Sequence, residues 1–398
     1  MRSLSPLAES LPRSGIREVM ELAAKLDEVI HLEVGEPSFN TPAHIIEAAL
    51  AAARAGSTKY TPNAGIAGVR QTIAERYAAA WGKPVGAEQV LVTAGAVNAI
   101  MTTLAAIVDD GDEVLVPDPG WPNYTSIIAF ARAVPVAYPC RAEDGYLPDL
   151  DALEARITPQ TKALILTNPS NPTGVVFPAA TVEAIVRLAT VHDLFVIADE
   201  VYEALVFDGR HVSAVTFDDA YRVIAVSGCS KTYAMTGWRL GWAITTPEIV
   251  GLAGKLMETV VSCAPSVSQR AAEAAIRGPQ DCVEEMRQAY QRRRDIVAET
   301  LRPAGLLPVV PSGAFYALVD LRATGLSSRA LTRGLLEEER VAAAPGDTFG
   351  AEAEGMVRIS LASTDEDVAE GCRRIVAFAE RHSGRILPTR ATAALAPV

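Results

Sequence analysis

The sequence predicts an α/β protein with a mainly parallel, seven-stranded sheet in a large domain and a second, smaller α/β domain. Short apolar runs alternate with helical patterns or turns, polar clusters follow five of these runs, and the pattern changes near residue 282. A chain of 398 residues is also longer than one ordinary core requires, so two unequal domains are expected.

The predicted strands are short runs rich in β-branched and aliphatic residues. They are QVLVT (89–93), DEVLVP (112–117), AVPVAY (133–138), KALILTN (162–168), LFVIAD (194–199), RVIAVS (222–227) and LGWAIT (240–245). Strands that are apolar almost throughout are buried on both faces, which is typical of parallel sheets covered by helices.

Polar clusters follow five of these runs. In chain order they are TAGAVN, DPGWPNY, NPSNPTG, DEVY and GCSKT. Because the carboxyl ends of parallel strands meet at one edge of a sheet, where ligands bind, the sequence predicts a single site at that edge.

The second domain begins with the charged helical pattern EEMRQAYQRRRDIVAETL and continues through GAFYALVDL and GMVRISLA. We expect residues 1–45 to form an N-terminal arm and part of the small domain, 46–281 the large domain and 282–385 the small domain. Residues 386–398, rich in Ala, Pro and Thr, are predicted to be a loose tail.

Charge and cysteine content exclude several kinds of partner. Lys and Arg number 36 against 48 Asp and Glu, a net charge of −12, so the basic surface that nucleic acid or an anionic membrane requires is missing. The 5 cysteines are scattered and form no Cys-x-x-Cys pair, which argues against a disulfide framework and a zinc site. No apolar stretch has the length of a signal-peptide core or a bilayer span. We therefore expect a cytoplasmic protein without a bound metal.

Taken singly, three of the loops have simple structural explanations. Asp199, at the end of a predicted strand, suits a helix N-cap as well as a ligand site. NPSNPTG is a rigid turn set by two prolines, although its asparagines also offer amides toward the sheet edge. The small-residue turn in TAGAVN would direct free N–H groups at a phosphate, but a lone glycine turn is weak evidence.

Lys231, in SGCSKTYAMTGWRLGW, has three candidate roles: a surface ammonium, a phosphate clamp or a nucleophile that holds a cofactor. A nucleotide-binding loop is excluded, because the second glycine of G-x-x-x-x-G-K-[ST] is missing and too few residues precede the next strand for a full helix. A lysine at a desolvated edge can form a Schiff base with pyridoxal phosphate. That cofactor also needs an acid at its ring nitrogen, a phosphate site, donors to its phenolic oxygen and an aromatic side chain against its ring. The loops contain candidates for each of these groups.

The sequence resembles the class I and II aminotransferases, which are fold-type I pyridoxal-phosphate enzymes of the aspartate aminotransferase superfamily. The resemblance extends from about residue 5 to residue 380 and rests on LEVGEPSF, YTPNAG, DPGWPNY, NPSNPTG, DEVY, SGCSKTYAMTGWRLGW and VRISLA, in that order. It implies pyridoxal phosphate as cofactor, amino acids and 2-oxo acids as substrates, and a homodimer with active sites at the interface.

The resemblance also implies catalytic and ring-binding residues. Lys231 would form the Schiff base and Asp199 would keep the ring nitrogen protonated. Tyr202 and Asn171 would donate to the phenolic oxygen, and Trp121 would stack on the ring. Lys231, Asp199 and Tyr202 are the implied catalytic set.

Phosphate and substrate contacts follow from the same resemblance. The implied phosphate-binding set is Arg239, Ser230, the backbone at Gly95, Ala96 and Val97, and Tyr60 from the neighbouring subunit. Arg358 would hold the substrate α-carboxylate as a bidentate pair, in a pocket bordered by Gly35, Trp121 and Asn171.

Two positions depart from the family pattern. Val97 stands where many relatives have a hydroxyl or amide side chain, and Gly228 stands where some have serine. We expect the phosphate to depend on backbone amides, Arg239 and Tyr60, with Ser227 or Ser230 contributing after a small shift.

The leading hypothesis is amino-group transfer from an L-amino acid, neutral or aromatic in preference to aspartate, to a 2-oxo acid by ping-pong kinetics. Lys231 would move the proton from Cα to the C4′ atom of the cofactor. The alternatives are an aspartate-type aminotransferase, a cysteine-conjugate β-lyase or another enzyme that uses this cofactor on the same fold. A non-enzymatic cofactor sensor would need a DNA-binding domain, and the roughly 30 residues before LEVGEP are too few for one.

Overall fold

Residues 4–383 are described by the computed structural model, and their strands form one large sheet and two small ones. In chain order the strands are β1 (Ile30–His31), β2 (Val90–Thr93), β3 (Glu113–Asp118), β4 (Val134–Pro139), β5 (Thr161–Thr167), β6 (Phe195–Asp199), β7 (Val223–Gly228), β8 (Gly241–Ile244), β9 (Tyr316–Asp320), β10 (Val341–Ala342), β11 (Ala344–Pro345) and β12 (Met356–Ser360). The large sheet has seven strands in the order β2-β8-β7-β6-β5-β3-β4. All seven predicted strands are therefore confirmed, and so is the α/β class.

Most neighbours in the large sheet are parallel, but β8 is antiparallel to both β7 and β2. Because β8 runs in the opposite direction, the residues that precede it lie at the same edge as the residues that follow the other strands. The loop before β8 therefore joins the loops after β2, β3, β5, β6 and β7 at that edge.

The helices are α1 (Pro6–Ser10), α2 (Gly15–Ala23), α3 (Ala43–Arg54), α4 (Ala67–Trp81), α5 (Ala96–Ile107), α6 (Asn123–Phe130), α7 (Leu150–Glu154), α8 (Ala179–Val191), α9 (Cys229–Thr232), α10 (Pro247–Val261), α11 (Ser266–Arg277), α12 (Asp281–Leu301), α13 (Ser328–Glu339) and α14 (Asp365–His382). Lys231 lies in α9, which has only 4 residues. The expectation that no full helix fits between Lys231 and the next strand is confirmed.

Both faces of the large sheet are buried, as the apolar strands predict. In β5, Leu164 and Leu166 pack on one side with Ile185 of α8. Ala163 and Ile165, which alternate with them, pack on the other side with residues of α5. The two-residue alternation explains why the whole strand is apolar: each residue faces one of two helical layers.

One of the two small sheets pairs a strand from the N-terminal part of the chain with a strand from the C-terminal part. Ile30 of β1 pairs with Val341 of β10, while β9, β12 and β11 form an antiparallel sheet packed with α12, α13 and α14. The pairing supports the expected assignment of N-terminal residues to the small domain, although the domain boundaries stay a prediction. The expected tail, 386–398, lies outside the described residues.

Within residues 4–383, no helix combines the length and apolar character needed to cross a bilayer.

Candidate active site

A cavity of about 450 Å³ lies at the sheet edge where the polar loops meet. Its walls include eleven of the residues predicted for the site: Lys231, Asp199, Tyr202, Asn171, Arg239, Trp121, Ala96, Val97, Ser230, Gly35 and Arg358. Gly95 is buried directly beside Arg239. Tyr60 does not line this cavity; it is 88% exposed, next to a separate surface cavity with Cys263.

The topology explains why distant residues meet. Asp199 is the last residue of β6, Lys231 follows β7, and helix α5 begins at Ala96 just after β2. Arg239 lies two residues before the reversed strand β8. Each residue therefore reaches the same edge of the sheet from a different strand.

Lys231 occupies a desolvated position at the base of the cavity. Its Nζ donates to the Gly35 carbonyl oxygen at 2.6 Å. Burial lowers the pKa of Lys231 to about 8, with Glu36 opposing the shift and Arg358 reinforcing it. Much more of the amine is therefore neutral near pH 7 than in an ordinary surface lysine, which suits a nucleophile.

Asp199 is buried, and its carboxylate is held by a tyrosine. Tyr124 Oη donates to Asp199 Oδ2 at 2.5 Å and is itself 2.8 Å from Thr167 Oγ1. Burial raises the pKa of Asp199 to about 6, and the Tyr124 hydrogen bond opposes that rise. A turn follows Asp199, so the helix-cap explanation of this residue is wrong.

Tyr124 is a site residue that the sequence reasoning missed. It lies three residues after Trp121 in PGWPNY, and the two rings meet edge to face with centroids 5.2 Å apart. Tyr124 therefore contacts both Asp199 and Trp121 and helps to hold them in position. The spacing of three residues between Trp121, just before α6, and Tyr124, in its first turn, is the signal that could have identified it.

Arg358, on β12, is a buried cation that forms no ion pair with any residue from 4 to 383. Nη2 donates to the Glu33 carbonyl oxygen at 2.6 Å and Nη1 to Asn171 Oδ1 at 3.3 Å, whereas Nε has no partner. The guanidinium lies 4.3 Å from the Tyr316 ring centroid, and burial lowers its pKa. Since a buried charge is costly unless paired, this arrangement suits an incoming carboxylate.

The start of α5 and Arg239 form a second anion cradle. Gly95 is the N-cap of α5 with a φ of 89°, and a Cβ there would lie 2.7 Å from Arg239 Nη2. Glycine is therefore required both for the turn and for the close approach of the guanidinium. Helix geometry leaves the first N–H groups of α5, at Ala96 and Val97, free to bind an anion beside Arg239.

One of the two departures from the family pattern, Gly228, has a structural explanation. A Cβ at Gly228 would lie 2.9 Å from the Leu240 carbonyl oxygen and 3.0 Å from Gly241 Cα, so serine does not fit without a backbone shift. Ser227 donates to Glu203 Oε1 at 3.2 Å and does not line the cavity, so the structure gives no support to a phosphate contact of Ser227. Ser230 lies in the cavity wall.

Only one of the two asparagines expected at the sheet edge lines the cavity. Asn168 Oδ1 accepts from the Phe177 N–H at 2.9 Å, so Asn168 stabilises its own turn. Asn171 reaches Arg358, as noted above. Tyr202 Oη lies 3.0 Å from Tyr316 Oη, a second tyrosine that the sequence reasoning missed.

Charge in the cavity favours anions. Four cations line it, Arg17, Lys231, Arg239 and Arg358, against the two acids Glu36 and Asp199. None of the ion pairs found among residues 4–383 includes any of these six residues. The cavity thus presents unpaired positive charge to a polyanionic ligand.

Comparison with known proteins gives matches over most of the chain. The family model described as aminotransferase class I and II matches residues 27–375. An arginine–pyruvate transaminase from Pseudomonas aeruginosa is 39% identical over 361 residues, which cover 90% of this chain and 92% of that protein. Aromatic-amino-acid aminotransferase 2 from Thermococcus litoralis is 38% identical, with 94% of this chain and 97% of that protein covered.

A solved structure of an aminotransferase is also similar to this chain over almost its whole length. Aspartate aminotransferase from Thermus thermophilus with maleate superposes with a TM-score of 0.90 at 36% identity, covering 95% of this chain and all of that one, 100%.

Proposed function

Because the chain belongs to the class I and II aminotransferases, enzymes that use pyridoxal phosphate, we propose that it transfers the amino group of a neutral or aromatic L-amino acid to a 2-oxo acid. Membership confirms the family, enzyme class and cofactor expected from the motifs. The observation that carries the choice of donor is the presence of apolar side chains in the cavity wall, among them Ile16, Met20, Val34 and Val97.

Several charged and polar groups of the cavity would find partners in bound pyridoxal phosphate. The buried Asp199 carboxylate forms no ion pair within residues 4–383, and a protonated ring nitrogen would supply one. Arg239 and the start of α5 would hold the phosphate, and Trp121 would lie against the ring. Asn171 and Tyr202 are proposed as the groups around the phenolic oxygen.

Lys231 is the proposed catalytic base. Bound pyridoxal phosphate supplies an electron sink for the pair left at the substrate Cα when a proton is removed. Lys231 Nζ accepts that proton, which requires the neutral amine favoured by burial. Asp199 maintains the positive charge at the ring nitrogen, and Tyr124 holds Asp199 in place.

Arg358 is the proposed site for the substrate α-carboxylate. Its buried fork would pair with both carboxylate oxygens and fix Cα near Lys231. An amino acid and a 2-oxo acid share this carboxylate, so the two would occupy the same site in turn. That sharing is the structural basis for the proposed ping-pong order.

A homodimer completes the proposed site. Tyr60 is exposed and does not line the cavity of its own chain, which supports a contact with the phosphate in a second copy. The five scattered thiols, three of them buried, are in keeping with a reducing compartment, and we propose a cytoplasmic location.

The function is tested with a panel of neutral, aromatic, acidic and basic amino donors, each with pyruvate and with 2-oxoglutarate. We expect turnover with neutral or aromatic donors that depends on the added 2-oxo acid. Turnover without any 2-oxo acid would indicate β-elimination. A strict preference for aspartate would contradict the proposed donor class.

The depressed pKa of Lys231 predicts how cofactor capture depends on pH. Because only the neutral amine attacks, the rate of pyridoxal phosphate uptake by the apoenzyme should rise about tenfold per pH unit below pH 8 and level off near a pKa of about 8. Stopped-flow absorbance measures this rate, with Lys231→Ala as the control. A rate that keeps rising to the pH range of ordinary lysines would contradict the assignment.

Removing the Tyr124 hydroxyl should weaken cofactor binding. In Tyr124→Phe the ring against Trp121 remains, but Asp199 loses a donor to its charged form, so its pKa rises. A hydrogen bond to a charged group contributes about 1.5–3 kcal/mol, so the Kd of pyridoxal phosphate should increase at least about tenfold.

Equilibrium dialysis measures that Kd, and absorbance against pH reports the protonation of the bound cofactor. Tyr138→Phe is the matched control, because Tyr138 Oη donates to the Ile165 carbonyl oxygen outside the cavity. Equal Kd values for the two variants would show that Tyr124 has only a general structural role.

A further inference from the structure

Tyr316 is a cavity tyrosine to which the proposed reaction assigns no role. It is the first residue of β9, is 2% exposed and lines the cavity. Its partner in the antiparallel ladder is Ser360 of β12, and Arg358 lies two residues before Ser360. Because side chains alternate along a strand, Tyr316 and Arg358 project from the same face of this small sheet. The register of β9 and β12 therefore places the phenol ring next to the guanidinium.

Tyr316 contacts three groups that surround the proposed reaction. Its ring centroid lies 4.3 Å from the guanidinium carbon of Arg358. Its Oη lies 3.0 Å from Tyr202 Oη, and a Cβ on Gly35 would be 2.4 Å from the same oxygen of Tyr316. The Gly35 carbonyl oxygen in turn accepts the hydrogen bond of Lys231 Nζ. The Tyr316 hydroxyl is therefore held in a confined space beside Tyr202.

The two facing hydroxyls of Tyr202 and Tyr316 share two protons between them. Burial raises the pKa of both phenols, so each stays protonated and can donate one hydrogen bond. Among the hydrogen bonds of residues 4–383, each hydroxyl has the other as its single partner. If Tyr202 donates to Tyr316, Tyr202 has no proton left for a ligand. If Tyr316 donates to Tyr202, the Tyr202 proton is available to a ligand in the cavity.

The charge of Arg358 favours Tyr316 as the donor. Burial raises the pKa of Tyr316, and Arg358 opposes that rise more strongly than any other group. Burial also raises the pKa of Tyr202, where Arg358 is the weakest of the influences. A phenol that a nearby cation polarises is the stronger hydrogen-bond donor. The hydrogen bond between the two hydroxyls should therefore run from Tyr316 to Tyr202.

We propose that Tyr316 is a positioning residue: it donates to Tyr202 and thereby directs the Tyr202 hydroxyl proton toward the phenolic oxygen of bound pyridoxal phosphate. This inference rests on the proposed function, in which Tyr202 lies at that oxygen. Two hydrogen bonds in series polarise each other, so the contact at the cofactor is stronger than Tyr202 alone would provide. In this role Tyr316 acts on the cofactor through Tyr202.

The test measures the absorbance of the holoenzyme against pH for Tyr316→Phe, Tyr202→Phe and the double variant. A donor to the phenolic oxygen favours its ionised form, so loss of the donor raises the pH at which the bound cofactor releases its proton. We expect the midpoint to rise by about 0.5 pH unit in Tyr316→Phe and by more in Tyr202→Phe. The double variant should have the midpoint of Tyr202→Phe, because Tyr316 acts through Tyr202.

Two further measurements separate positioning from a general structural effect. Phenylalanine keeps the ring against Arg358, so KM for the amino donor should stay within about twofold while kcat falls. Tyr290→Phe is the matched control, because Tyr290 is a buried tyrosine of the same apolar cluster that does not line the cavity. This control should change neither the absorbance midpoint nor the kinetic constants.

An unchanged midpoint in Tyr316→Phe would overturn the proposal. A Tyr316→Phe shift that persists in full in the Tyr202→Phe background would overturn it as well, since Tyr316 would then act without Tyr202. No shift in Tyr202→Phe itself would refute the proposed place of Tyr202 and the inference with it. The midpoint is measured without turnover, so absence of amino transfer in the unmodified enzyme would refute the proposed function alone.

Discussion

Replacing Lys231 by alanine should reduce amino transfer by roughly 10⁴-fold or more, because the same amine provides the covalent attachment and the base. The buried position of Lys231, with Nζ on the Gly35 carbonyl, leaves no other lysine among the cavity-lining residues to replace it. Steady-state kcat measures the loss of catalysis. The visible absorbance of the purified protein measures the loss of covalently attached cofactor.

Two controls separate this effect from misfolding. Lys231→Arg retains a cation but has no neutral amine near pH 7, so it should be as inactive as the alanine variant. Lys162→Ala removes an exposed lysine of β5 away from the cavity and should be fully active. Partial recovery of the alanine variant by an added primary amine would support the role as base. If Lys231→Ala retained more than about a tenth of the activity, the role of Lys231 as attachment and base would be refuted.

Replacing Arg358 by alanine should lower kcat/KM for amino acids by a factor between about 30 and several thousand. Losing one partner of a buried, hydrogen-bonded charge pair costs about 2–5 kcal/mol, and Arg358 is 1% exposed. Arg358→Lys should recover only part of the loss, because an ammonium lacks the planar fork.

The specificity of that loss is checked with an amine that lacks the α-carboxylate. If Arg358 binds the carboxylate, the variant and the unmodified enzyme should differ little on the amine and greatly on the amino acid. An equal loss on both substrates would mean that Arg358 acts through the fold, by way of its bonds to Glu33 and Asn171. Thermal unfolding of the variant would then show a lowered Tm.

The large sheet was predictable because its strands are apolar on both faces, as Leu164 and Ile165 illustrate. The loops that line the cavity were predictable for a related reason, since parallel strands bring their carboxyl ends to one edge. Reversal of β8 was not encoded in any local pattern. In the structure β8 pairs antiparallel with β7, which precedes it by a short loop, and with β2, which lies about 150 residues earlier in the chain.

Residues beyond the motifs were harder to identify. Tyr124 contacts Asp199 across 75 positions, and Arg17 enters the cavity from a helix with no motif of its own. Of the two serines expected near the phosphate, Ser230 lines the cavity, whereas the hydroxyl of Ser227 donates to Glu203. These contacts depend on tertiary packing, which periodicity does not report.

The antiparallel pairing of β7 and β8 has a consequence for loop-closure entropy. The chain leaves the sheet at Gly228 and returns at Gly241, and these two residues are direct partners in the ladder. Lys231 and Arg239 both lie in the short loop between them. A loop closed by its own flanking strands loses little further entropy when its residues are ordered. The covalent and ionic anchors of the cofactor are therefore held in one local hairpin, independent of the long-range contacts that bring Arg358 to the cavity.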